Sequence, residues 1–177
     1  MVLPLFTRLD HVGIACRDLD RAIELYQATF GLDVASLEVN EEQGVREAMM
    51  QVGAGRPGVG ELGVSYVQLL QPLAPDTPVG KFLARRGEGI HHVGYGVIDV
   101  RQALAAIAPT GIRLVDERPR HGSMGASIAF LHPGDLGGVL TELVQAVTPT
   151  LCPMLATRGV NRTHRIETSE GPAESRK

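Results

Sequence analysis

The strongest constraint on the fold is an internal repeat. The segment HVGIACRDLDRAI, from His11, matches HVGYGVIDVRQAL, from His92, at His, Val, Gly, Asp and Ala, with apolar residues opposite each other at most other positions. Each copy opens with the two-residue alternation of a half-buried strand. Each then reaches an aspartate, Asp18 or Asp99, of the kind that caps a helix N-terminus. The first predicted helix carries Leu19, Ala22, Ile23 and Tyr26 on one face and stops at Gly31; the second carries Val100, Ala103, Leu104 and Ile107 and closes at Pro109 and Gly111. The copies also agree at their far ends. SYVQLLQ, from Ser65, lies on VLTELVQ, from Val139, which sets Gln68 opposite Glu142 and Gln71 opposite Gln145.

Between helix and final strand each copy has room for two more strands: VASLEVN and VREAMMQVG in the first, IRLVDERPR and SIAFLHPG in the second. The expectation is an α+β protein of two tandem βαβββ modules, 7–73 and 88–147, whose curled mixed sheets share a core around a cleft. A Pro- and Gly-rich linker, 74–87, holds a short helix around Gly80–Arg85. Periodicity stops at Thr148, and the polar segment 148–177 reads as a mobile C-terminal tail. GAGRPGVGELG is a loop; it lacks the strand–loop–helix setting and the Lys–Ser/Thr ending of a phosphate cradle.

Composition narrows the function classes. A net charge of −3 without a basic stripe argues against nucleic acid, and the lack of Trp argues against a base-stacking surface. No long apolar run suggests a membrane span, and MVLPLFTRLD has no secretory layout. Cys16 and Cys152 make no disulfide framework, so a reducing, cytoplasmic setting is expected.

GIHHVGYGV sets two histidines side by side, and neighbouring strand residues point to opposite faces. The repeat pairs His92 with His11, and His91 with Asp10. His92 shares its face with Gly94 and Gly96, and His11 with Gly13 and Ala15, so both have room beside them. His91 belongs to the packing face or its edge. Taken singly, His11, Gln68, His92 and Glu142 are ordinary strand residues; in equivalent positions of a repeat they become a converging quartet. Two imidazoles, an amide oxygen and a carboxylate suit a divalent cation with open positions. The absence of a thiolate weakens the case for structural zinc.

LDHVGIACRDLDRAIELYQATFGLDV, EEQGVREAMM, GIHHVGYGVIDV and IAFLHPGDLGGVLTELVQ resemble the methylmalonyl-CoA epimerase family of the vicinal-oxygen-chelate (glyoxalase, bleomycin-resistance, dioxygenase) superfamily, over Leu9 to Gln145. The resemblance implies metal-assisted proton abstraction and return at C2 of methylmalonyl-CoA, through an enolate. It sets His11, Gln68, His92 and Glu142 on the metal positions, typically for Co2+, with Mn2+, Ni2+, Zn2+ or Mg2+ as alternatives. It puts Glu47 on an acid/base position with Glu142 as its counterpart, and it implies an acyl-CoA substrate and a homodimer. The strand pattern agrees, since Glu47 alternates with Val45 and Met49. Rivals within the fold are a glyoxalase-like metal-dependent isomerase or lyase and a metal-free antibiotic-binding resistance protein. An extradiol dioxygenase would use two His and one Glu, so Gln68 counts against it. His132 reads as a turn residue, and Lys81, Arg85 and Arg86 as a solvated helix face.

Overall fold

The computed structural model describes residues 5–53 and 64–147. The chain runs β1 (Phe6–Ala15), α1 (Leu19–Phe30), β2 (Asp33–Asn40), β3 (Val45–Val52), β4 (Ser65–Pro72), α2 (Pro78–Arg86), β5 (Gly89–Val97), α3 (Val100–Ile107), β6 (Arg120–His121), β7 (Ser127–Leu131) and β8 (Thr141–Gln145). The strands form one curled, mixed sheet in the order β2-β3-β4-β1-β5-β8-β7-β6. β1 pairs parallel with β4 and β5 parallel with β8, while β1 and β5 meet antiparallel at the centre. Within the sheet the two halves are thus joined at the β1–β5 seam of one chain.

The helices start where local chemistry starts them. Asp18 accepts from the Arg21 N–H at 3.1 Å and Asp99 from the Gln102 N–H at 2.9 Å. A second acceptor comes from the sheet in each half: Gln71 Oε1 takes the Leu19 N–H and Gln145 Oε1 the Val100 N–H. The repeat pairing of Gln71 with Gln145 therefore has a structural cause. Each satisfies a free donor of the first helical turn and ties the helix to the end of its module's last strand.

α1 packs on the outer face of the first half through Leu19, against Cys16, Ala48, Met50 and Leu69. α3 does the same in the second half, where Val100, Ala103, Leu104 and Ile107 meet Val97, Ala129, Leu131 and Leu143. α2 starts at Pro78, capped by Thr77, earlier than the sequence suggests, and covers part of the inner face at Ala15, Val45 and Leu70 with Val79 and Leu83. Lys81, Arg85 and Arg86 are exposed, as expected of a solvated helix face.

One expected strand is missing. IRLVDERPR does not run as a strand: Leu114 makes an isolated bridge to Leu131, and β6 is only two residues long. The Val115 and Asp116 N–H groups both donate to the Phe130 carbonyl, and the Asp116 side chain accepts from the Phe130 N–H. That doubled contact takes the ladder out of register, and Pro119 has no N–H with which to restore it. The loop reading of GAGRPGVGELG, apart from Gly53, and the tail over 148–177 fall outside the described residues. No helix among the described residues is long and apolar enough to cross a membrane.

Candidate metal centre

Register across the seam sets the site. One cross-strand row carries Gln68 (β4), Gly13 (β1) and His92 (β5); the next carries His11 (β1), Gly94 (β5) and Glu142 (β8). His11 and Gly13 are two residues apart, so both rows face the same side. The glycines are required by this arrangement. A Cβ on Gly13 would stand 2.3 Å from the His92 ring, and one on Gly94 would stand 2.4 Å from the His11 ring. The space the sequence leaves beside each histidine is therefore filled by the other histidine.

His11 Nε2 lies 3.0 Å from His92 Nε2 and 2.8 Å from Glu142 Oε2, and His92 Nε2 lies 3.2 Å from the same oxygen. All three side chains are at most 4% exposed. Glu142 Oε2, although so close to both rings, meets neither in good hydrogen-bond alignment. Buried polar atoms are seldom left that way. A cation bonded at about 2.1 Å to each ligand separates neighbouring ligand atoms by about 3.0–3.4 Å, close to the spacing seen. The donor set, neutral imidazoles with one carboxylate, suits a borderline-to-hard divalent ion. The residues present fit such an ion.

Gln68 reaches the same inner face but turns its amide nitrogen away. Nε2 donates to Glu47 Oε2 at 2.6 Å and to Ser123 Oγ at 3.0 Å, leaving Oε1 buried without a partner. The free atom is the acceptor oxygen, the one a cation would take.

Glu47 is 1% exposed on β3, on the face of Val45 and Met49. Besides Gln68 it accepts the Ser123 hydroxyl at 2.7 Å. Ser123 comes from the other half, in a loop where Met124 takes a left-handed conformation with φ of 55°. The loop is held to the first half by the Met124 N–H on Glu38 Oε1 at 3.2 Å and by Gln43 Nε2 on the His121 carbonyl. His132, as the sequence suggests, is a turn residue that accepts the Gly134 N–H.

Electrostatics differ sharply among these groups. Burial alone would lower the His11 pKa, but hydrogen bonds to Asp10 and Glu142 prevail and raise it to about 9. Burial would raise Glu142, yet the two imidazoles hold it at about 2. Burial pushes Glu47 above the usual carboxylate range, against the pull of Ser123 and Gln68. His91 is driven down to about 4, by burial first and by His92 second. A proton held by the His11–Glu142 pair is the one a dication would displace.

Sequence reasoning misses three contributors. Asp10 touches His11 Nδ1 at 3.1 Å and is itself paired with Arg8. His91 Nδ1 touches His92 Nδ1 at 3.0 Å, while its ring stands edge-on to Phe82 of α2 at 5.0 Å. Ser123 lies in a Gly-rich loop with no pattern to mark it. The pairing of Asp10 with His91 in the repeat frame was the available signal for the first two.

The family pattern described as Glyoxalase/Bleomycin resistance protein/Dioxygenase superfamily matches residues 10–130. A variant of Streptomyces coelicolor methylmalonyl-CoA epimerase in complex with 2-nitronate-propionyl-CoA is 50% identical, with a TM-score of 0.76 over 81% of this chain and 99% of that one. A methylmalonyl-CoA epimerase in complex with methylmalonyl-CoA and ammonium is 52% identical, with a TM-score of 0.74 over 80% of this chain and 95% of that one. The ethylmalonyl-CoA/methylmalonyl-CoA epimerase of Cereibacter sphaeroides is 33% identical over 140 residues, 78% of this chain and 97% of its own length.

Proposed function

The chain belongs to the Glyoxalase/Bleomycin resistance protein/Dioxygenase superfamily, and from that premise we propose that it epimerises methylmalonyl-CoA at C2, interconverting the (R) and (S) forms. The observation that carries this reading is the triad of His11, His92 and Glu142 on one concave face, with the buried carboxyl of Glu47 tied to Gln68 beside it.

The carbon to be inverted lies between a thioester and a carboxylate, so its proton is acidic once negative charge on the neighbouring oxygen is stabilised. His11, Gln68, His92 and Glu142 would hold a divalent ion, Co2+ by preference, which when bound would supply a Lewis acid for negative charge on the substrate's oxygen. Glu47 takes the proton from one face. Burial makes it a stronger base than an ordinary carboxylate. Ser123 and Gln68 fix the direction in which its oxygens point. Glu142 is its counterpart on the other face; whichever carboxyl takes the C2 proton, the other must hold a proton of its own to deliver, so each turnover moves the protonated state from one carboxyl to the other. A cytoplasmic homodimer completes the proposal, checked by light scattering at twice the 18.9 kDa chain mass.

The test is incubation of the Co2+-loaded protein with methylmalonyl-CoA in D2O. Deuterium should enter C2 without net loss of substrate; no uptake by protein shown to hold its cation would remove the assignment. Glu47→Gln should keep the cation and lower exchange by roughly 10²–10⁴-fold, whereas His92→Ala should lose both.

A further inference from the structure

The seam between β1 and β5 breaks strand alternation three times, and two of the breaks fall beside the site histidines. Register runs Leu9↔Tyr95 then His11↔Gly94, and Gly13↔His92 then Ile14↔Ile90. Asp10 in β1 and His91 in β5 are thus each an extra residue in a β-bulge. They occupy the same place in the repeat, directly before a site histidine. A bulge bends its strand and re-aims the side chain it carries. Here both extra residues come to the Nδ1 of the next histidine, Asp10 Oδ1 at 3.1 Å from His11 and His91 Nδ1 at 3.0 Å from His92.

The two backing groups differ in chemistry. A carboxylate only accepts, so Asp10 calls for a proton on His11 Nδ1. An imidazole nitrogen accepts only where it bears no hydrogen. Two Nδ1 atoms at 3.0 Å require one proton between them. His92 Nε2, turned towards His11 and Glu142, offers a lone pair to a cation only when that proton sits on its own Nδ1. His91 Nδ1 is then the acceptor, and the hydrogen of neutral His91 is on Nε2.

We propose that His91 is a positioning residue that, through Nδ1, holds His92 in the tautomer whose Nε2 faces His11 and Glu142, as Asp10 does for His11. The inference rests on the reading of the triad as a cation site. Groups that fix a ligand histidine in this way typically contribute 10–100-fold to metal affinity.

The variants His91→Phe and His91→Asn separate this role from packing. Phenylalanine keeps an aromatic ring against Phe82 and removes the acceptor; asparagine keeps an acceptor oxygen. Zinc affinity by calorimetry should fall 10–100-fold in His91→Phe and return to within a few-fold in His91→Asn. Nitrogen-15 NMR of histidine-labelled, unsubstituted protein should find the ring proton of His92 on Nδ1 and that of His91 on Nε2. A His92 proton on Nε2, or unchanged zinc affinity in a folded His91→Phe, overturns the proposal. Should His91→Phe not fold, the tautomers of the unsubstituted protein decide. Should the unsubstituted protein bind no zinc, the cation reading fails, and the His92 tautomer in the metal-free chain decides the role of His91.

Discussion

Glu47 is pulled in opposite directions by its surroundings. Burial favours its neutral form and the nearby Glu38 and Glu142 add to that, while the Ser123 and Gln68 donors favour the ion. Burial wins, so the group ionises above the ordinary carboxylate value of about 4.3. Proton abstraction needs the ionised form. Exchange should therefore fall on acidification, with a midpoint in kcat/KM above that value. Ser123→Ala removes a donor to the ion and should move the midpoint further up. A midpoint that stayed put or moved down would show that the hydroxyl does not act on this carboxyl.

At the scale of strands and helices, the site depends on how closely β1 and β5 approach. Gly94→Ala puts a methyl group 2.4 Å from the His11 ring at a backbone angle any residue can adopt. The expected cost is steric, about 1–3 kcal/mol of stability, together with a loss of cation affinity because the ring must turn. Gly31→Ala is the control. Gly31 ends α1 at φ of 64° with nothing near its would-be Cβ, so it should cost about 1–2 kcal/mol through its backbone alone and leave affinity unchanged. Thermal melts and calorimetry of both variants make the comparison. The same elements mark what the sequence reveals and what it hides. The helices are legible because Asp18, Asp99, Gly31 and the apolar stripes act within a turn or two of chain. His11 and His92 are legible because the repeat singles them out together. The bulges at Asp10 and His91 are not, since they arise from register between distant strands and neither residue is one that a bulge demands. IRLVDERPR misleads for a related reason: its apolar residues alternate as in a strand, while its backbone donors are claimed by Phe130. Ser123 reaches Glu47 across a separation of 76 residues, through a loop without periodicity.

For the molecule as a whole, the side chains that could hold a cation come from both halves, His11 from one and His92 and Glu142 from the other. Binding should therefore stabilise the folded chain as a unit. At 100 times Kd the gain is about 2.7 kcal/mol. For a chain of this size that corresponds to a rise in Tm of roughly 5–10 °C. Differential scanning calorimetry should show one transition moving up with added Co2+, and His92→Ala should abolish the movement. A shift surviving that variant would put the cation elsewhere.

The reciprocal seating of the two imidazoles has a consequence for heredity. Gene duplication ordinarily frees one copy to drift while the other keeps the old task. Here the bare backbone of each copy is the mould for the ring of its twin, so a single added carbon in either one evicts an imidazole belonging to the other. Neither half can wander off alone.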